Sequence, residues 1–234
     1  MQVRSITLVR HGRTAYNKAG RIQGWGDIPL DATGQWQVEQ TGRALRDLYV
    51  TSEPAARQLV VASDLKRAQQ SAHAFADPLG LDVHVDGRLR ERHFGDWEGM
   101  SMDELRAAFP DDFDLWMRGL GGEMRHRAES RAHAGARGWD ALRDWSHRAG
   151  SDTDLFVFSH GALIENTIQE MYGIGERFPD LVSLTSMRNA HWARLVDAPT
   201  DEDDRWILVD YNHGPALADT PAWDDPGEAR GRDE

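Results

Sequence analysis

Arg10-His11-Gly12-Arg13-Thr14 sets one imidazole between two guanidinium groups with a glycine beside it. The segment directly follows Val3 to Val9, an apolar run rich in β-branched residues that reads as a buried strand opening onto a loop. His11 therefore stands at a strand's carboxyl end, where open α/β sheets bind ligands, and Gly12 lets the backbone approach an anion closely. A phosphoryl group suits this arrangement. Moving it off an ester requires a nucleophile, cations for its oxygens and a proton for the departing alkoxide. A neutral His11 imidazole can attack phosphorus, and nearby arginines keep it unprotonated. Arg10, Arg67 and His160 are the candidates to clamp the oxygens. Glu91 is the candidate proton donor: its apolar neighbours Phe94 and Trp97 favour the acid, Arg90 and Arg92 favour the carboxylate, and the sequence leaves that balance open.

A single Arg-His-Gly recurs by chance, but three further segments follow it in order. They are Ser63-Asp64-Leu65-Lys66-Arg67-Ala68, Leu89-Arg90-Glu91-Arg92-His93-Phe94-Gly95-Asp96-Trp97-Glu98-Gly99 and Phe158-Ser159-His160-Gly161. Together, from about Val3 to about Tyr211, they resemble the histidine phosphatase superfamily, whose members look like phosphoglycerate mutase. The resemblance implies an α/β fold, a three-layer α/β/α sandwich on a mostly parallel sheet. It also implies a phosphohistidine intermediate at His11, a phosphate pocket of Arg10, Arg67 and His160, further phosphate contacts from Asn17, Gln23 and Gly24, and Glu91 acting as acid and then as base. Such enzymes use no metal and no other cofactor. Glu98 is expected to fix a loop, and His93 to be a neighbour of the site.

The elements that must position these groups follow from periodicity and caps. Thr14 to Asp27, glycine-rich and polar, reads as a loop or short helix over the site, with Asn17, Arg21 and Gln23 able to face it. Asp31 or Thr33 can cap a helix to about Tyr49, and Gln58 to Ala62 forms a second buried strand. Ser63 can cap the next helix, which ends near Pro78 and carries Arg67 in its first turn. Asp82 to Val85 is a third strand, and Ser101-Met102-Asp103-Glu104 is a capping box for a helix stopping before Pro110. Glu123 to about Ala149 reads as one long amphipathic helix whose His126, His133 and His147 form a solvated face, since their spacing of ~10 Å is too wide for one metal ion. Asp154 to Phe158 is a fourth strand turning at His160-Gly161 into the helix Ala162 to Tyr172. Ala190 to Val196 and Arg205 to Tyr211 make a closing pair of strands. Most of the tryptophans fit core packing, with Trp97 and Trp116 flanking the site's loops. The reading is one domain over 1–213 and a mobile tail over 214–234.

Composition narrows the chemistry further. The 234 residues carry a formal net charge of −12, which argues against nucleic acid or an anionic membrane surface as partner. Lys18 and Lys66 are the only lysines among 27 basic residues, so a phosphate here meets arginine forks. With no cysteine, thiol catalysis and disulfides are excluded. No run approaches the ~20 apolar residues of a membrane span, and a cytoplasmic location is expected. The expected partner is a small phosphorylated substrate, with a homodimer as the assembly allowed for.

Several positions depart from the family pattern. Arg13 replaces an acidic or amide residue and is expected to add charge at the mouth of the site. Ala162 replaces a second glycine, Ser71 a threonine, and His191 a small hydroxyl residue, which puts a contact there in question. Mutases carry a lysine after the Glu91 motif and a longer insertion before Gly122-Glu123; this chain has no lysine after Lys66 and looks like the phosphatase branch. Its loops, among them Gly121-Gly122-Glu123 and Asp210-Tyr211-Asn212, look like those of glucosyl-3-phosphoglycerate phosphatases. Phosphoglycerate mutase is the alternative activity. A phospho-ligand-binding protein without turnover is the alternative of another class, and it would be expected to lose one of the five catalytic groups present here.

Overall fold

The computed structural model describes residues 2–50, 57–177, 184–199 and 204–227. Six strands form one sheet in the order β3-β2-β4-β1-β5-β6: β1 Ser5–Arg10, β2 Arg57–Ala62, β3 Val83–Val85, β4 Thr153–Ser159, β5 Trp192–Asp197 and β6 Trp206–His213. The first four are parallel to one another, and β5 runs antiparallel to both its neighbours, β1 and β6, so the sheet is mixed. Alternate residues of the central strands feed two cores. Ile6, Leu8, Leu155 and Val157 point to one face, under helices α6 (Arg131–Ala149) and α7 (Gly161–Met171). Val9, Phe156 and Phe158 point to the other, under α2 (Ala32–Tyr49) and α3 (Lys66–Ala76). This two-residue alternation on buried strands yields the three α/β/α layers.

The pairing of β1 with β4 matters most for the site. Arg10 lies opposite Ser159, and the His11 N–H donates to the Ser159 carbonyl at 3.0 Å, so the two strands end in step. Both histidines therefore leave the sheet side by side. The helix caps obey local chemistry: Asp31 accepts from the Gly34 N–H, and Ser101 and Glu104 form the reciprocal capping box of α4 (Met102–Ala108). α1 (Ala15–Lys18), α5 (Pro110–Met117) and α8 (Ile174–Arg177) complete the set of α-helices among the described residues.

Two expectations are corrected. The long helix begins at Arg131, capped by Ser130, because Arg127 takes a left-handed φ of 64° and breaks the preceding 3-10 turn Gly122–His126. His126 thus leaves the helix, packs against Trp97 and Phe109 and bonds Asp112 at 2.9 Å. His133 and His147 do sit on α6, beside Glu129 and Asp204. Ser63 does not cap α3; its hydroxyl faces His160 instead. The segment after Gly214, which has no periodicity, still packs as far as it is described. Two 3-10 turns, Ala216–Asp219 and Pro221–Trp223, bring Trp223 to 1% exposure against Trp36 and His191. Residues 228–234 lie outside the described residues.

Candidate active site

His11 follows β1 at 2% exposure, at the base of a cleft of about 500 Å³. Its Nδ1 lies 2.7 Å from its neighbour's carbonyl, Gly12 O, so Nδ1 carries the proton and Nε2 keeps its lone pair. Burial pushes the imidazole well below its ordinary range, and the charges of Arg67 and Arg10 push it further. The ring is therefore a neutral base held in one tautomer. Gly12 is required beside it: a Cβ there would lie 2.4 Å from the Gly34 carbonyl, where α2 crosses the loop. Ser71, the smaller hydroxyl residue on α3, accepts from the Gly12 N–H at 3.3 Å and donates to the Arg67 carbonyl at 2.7 Å.

Arg10 and Arg67 line the same cleft from opposite elements. Arg67, fully buried, spans to the glycine-rich loop and donates to the Gly26 carbonyl at 2.7 Å and the Gly24 carbonyl at 2.8 Å. Burial lowers it to about 10, still cationic at neutral pH. Arg10 donates to the Met187 carbonyl. The Nε of each guanidinium is buried without a hydrogen-bond partner. Asn17 and Gln23 also line the cleft and converge on Thr14: the Thr14 hydroxyl lies 3.1 Å from Asn17 Oδ1 and 2.9 Å from Gln23 Oε1. Gly24 completes that wall with φ 49°, a conformation open to glycine at little cost.

Glu91 reaches the cleft by a route the sequence did not reveal. Its carboxylate caps α7, accepting from Leu163 N–H at 2.9 Å, Ala162 N–H at 3.3 Å and its own neighbour Arg92 N–H at 2.8 Å. Of the expected apolar neighbours, Phe94 lines the cleft, whereas Trp97 is fully buried and does not. Trp116 does line it.

His160 differs most from expectation. It is fully buried beside His11, ring centroids 5.2 Å apart, and is not part of the cleft lining. Its Nε2 sits 2.9 Å from Ser63 Oγ, and its Nδ1 has no partner. Burial, then Arg67, His11 and Arg10, hold it well below its ordinary range, so it rests neutral rather than protonated. Arg13 turns away from the mouth: it pairs with Asp31 at 2.9 Å and donates to the Asp224 carbonyl at 2.7 Å. His191 also lies outside the cleft lining, buried against Trp223. Glu98 fixes its loop through the N–H groups of Trp25 and Phe94, as expected. Asn189 is the bridge the sequence reading passed over, donating to the His11 carbonyl at 3.1 Å and to Asn17 Oδ1 at 3.2 Å. Arg131 and Glu165 line the outer cleft with no local signal in the sequence, because α6 and α7 bring them together from 34 positions apart.

A model of the histidine phosphatase superfamily (branch 1) matches residues 6–213, a segment that contains every residue lining the cleft. The chain belongs to the histidine phosphatase superfamily. Among its superfamily relatives, a glucosyl-3-phosphoglycerate phosphatase of Mycolicibacterium vanbaalenii is 34% identical over 233 residues, covering 93% of this chain and 98% of that one. A solved mycobacterial glucosyl-3-phosphoglycerate phosphatase in complex with VO3 superposes with a TM-score of 0.74 at 28% identity, covering 90% of this chain and 100% of the other. A probable phosphoglycerate mutase of Enterobacter is 40% identical, but over only 115 residues, 49% of this chain and 48% of that one. The phosphatase similarity thus spans both sides of the site and the mutase similarity one half. The protein is a phosphatase of this superfamily, a phosphoric monoester hydrolase.

Proposed function

We propose that the protein hydrolyses small phosphomonoesters without a metal ion, through a phosphohistidine on His11, with glucosyl-3-phosphoglycerate or a related phosphorylated sugar acid as substrate. One observation carries the reading: a neutral imidazole, locked on the Gly12 carbonyl, shares a cleft with two buried guanidinium groups whose Nε donors have no partner. Phosphoryl oxygens would satisfy those donors bidentately.

In the first step, His11 Nε2 forms a bond to phosphorus as the ester P–O bond breaks. The departing alkoxide takes a proton from Glu91. Arg10 and Arg67 neutralise the equatorial oxygens, and His160, drawn into the charge field of the phosphoryl group, takes up a proton from solvent as the ester binds, donates to that group, and releases the proton as phosphate leaves. Asn17, Gln23 and the Gly24 backbone supply further contacts. In the second step the Glu91 carboxylate takes a proton from water, the water oxygen bonds phosphorus, and the N–P bond breaks to regenerate neutral His11. Residues 1–213 act as one catalytic domain, and the acidic, cysteine-free chain suits a reducing cytoplasm.

Phosphate release from a panel including 3-phosphoglycerate and glucosyl-3-phosphoglycerate, run in EDTA, tests this. Release lost in His11→Ala, with acid-labile phosphate trapped on wild-type protein, is expected. Turnover retained in His11→Ala would overturn the assignment.

A further inference from the structure

The arginines lining the cleft are not equivalent. Arg10 and Arg67 flank His11, Arg21 pairs with Glu104 at 2.9 Å, and Arg92 pairs with the buried Glu123 at 2.5 Å. Arg131, half-buried at the first position of α6, faces the cleft with no carboxylate partner among the described residues. Its guanidinium makes one long hydrogen bond, to the Trp116 carbonyl at 3.5 Å. A partly desolvated cation with donors to spare is costly unless an anion meets it.

The neighbouring wall is built to read hydroxyl groups rather than a second anion. Glu165, Asn166 and Ser186 line it. Burial pushes the Glu165 carboxyl up, as does the charge of Glu91, against the opposing pull of Arg131 and Arg92. An acid, an amide and a hydroxyl together offer donors and acceptors of the kind that a polyol or sugar takes. Of the lining arginines beyond the pair at His11, Arg131 alone makes no salt bridge among the described residues, Glu165 acting on its charge only from beyond ion-pair distance.

We infer that Arg131 grips a carboxylate on the leaving group, so that the preferred ester is a phosphorylated hydroxy acid rather than the phosphate of a neutral alcohol. This rests on the phosphatase reading of the cleft and adds to it the residue that selects the substrate. A charge-assisted hydrogen bond in a partly buried site discriminates by about tenfold or more.

The test uses two esters that differ at one carbon: 3-phosphoglycerate, with a carboxylate, and glycerol 3-phosphate, with a hydroxymethyl group. Wild-type kcat/KM is expected to favour 3-phosphoglycerate by about tenfold or more. Arg131→Gln should collapse that ratio, chiefly through KM, and Arg131→Lys should restore part of it. A ratio near one in wild-type protein, or the same ratio in Arg131→Gln, overturns the inference. Calorimetric binding of the same two compounds to His11→Ala, with and without Arg131→Gln, needs no turnover. If neither ester is hydrolysed by the wild type, the panel with glucosyl-3-phosphoglycerate tests the proposed function separately, and binding still decides the role of Arg131. Discrimination lost with Arg131→Gln upholds it, and discrimination absent or unaltered refutes it.

Discussion

Gly24 joins the backbone conformation of the site to the position of Arg67, and its replacement by alanine tests that link. At φ 49° a side chain costs about 1 kcal/mol from left-handed strain alone. The new Cβ would also lie 1.9 Å from Glu98 Oε1 and 2.3 Å from its Cδ, so the carboxylate must leave. That carboxylate holds the Trp25 N–H at 3.1 Å and the Phe94 N–H at 3.0 Å, two partly exposed bonds worth about 1 kcal/mol each. Gly24→Ala should therefore destabilise the fold by about 3 kcal/mol and Glu98→Ala by about 2 kcal/mol. The double variant should cost about the same as Gly24→Ala alone, because deleting Glu98 removes both the clash and the bonds that the clash destroys. Urea denaturation of the four proteins measures this cycle. The Gly24 carbonyl also accepts from Arg67, so Gly24→Ala should raise KM. Strictly additive losses, or a Gly24→Ala protein as stable as wild type, would refute the argument.

Other outcomes follow from the same contacts. His11 and His160 are both held neutral well below the ordinary 6.5, so each takes up its proton more readily unfolded than folded. Their contribution is fully present above pH 6.5 and is lost as pH falls from there towards the folded-state values, by up to about 1.4 kcal/mol per pH unit for each; urea midpoints from pH 8 to 5 should show this. Stability unchanged across that range would contradict their neutral burial. Trp223→Ala should cost about 3–5 kcal/mol in thermal or chemical unfolding, since its ring is buried against Trp36 and His191 and its Nε1–H donates to the Asn189 carbonyl at 3.3 Å. Arg92→Ala should cost about 3–5 kcal/mol by leaving Glu123 charged and unpaired, and the double variant Arg92→Met, Glu123→Leu should recover most of that loss.

The chemistry of the site was legible from one dimension wherever it depended on local order. A β-branched strand ending in Arg-His-Gly, a glycine-rich loop after it, and a second strand ending in His-Gly place His11, Arg10 and His160 each at a strand's carboxyl end, and the pairing of β1 with β4 then sets them side by side. Helix starts at Asp31 and Ser101 were equally local, because a cap is a bond between residues three apart. The lack of cysteine excluded a thiol nucleophile outright. Long-range packing decided the rest. The helix expected from Glu123 stops short because Arg127 is left-handed where the Gly95 turn meets it; a Cβ on Gly95 would lie 2.0 Å from the His126 carbonyl. Arg13 left the mouth because α2 and residue 224 offered a carboxylate and a carbonyl, and sequence distance hid both. His160 rests neutral because burial and the cations around it act in the same direction, and both are properties of the assembled layers. The contacts of Glu91 depended on the fold too, since the Ala162 and Leu163 N–H groups on its carboxylate lie more than seventy residues away. Sequence determined which groups could do chemistry, because reactivity belongs to side chains and to the turns that carry them. Only the tertiary structure decided their charge, their partners and which arginine was left free, because those depend on what the fold brings within a few ångströms.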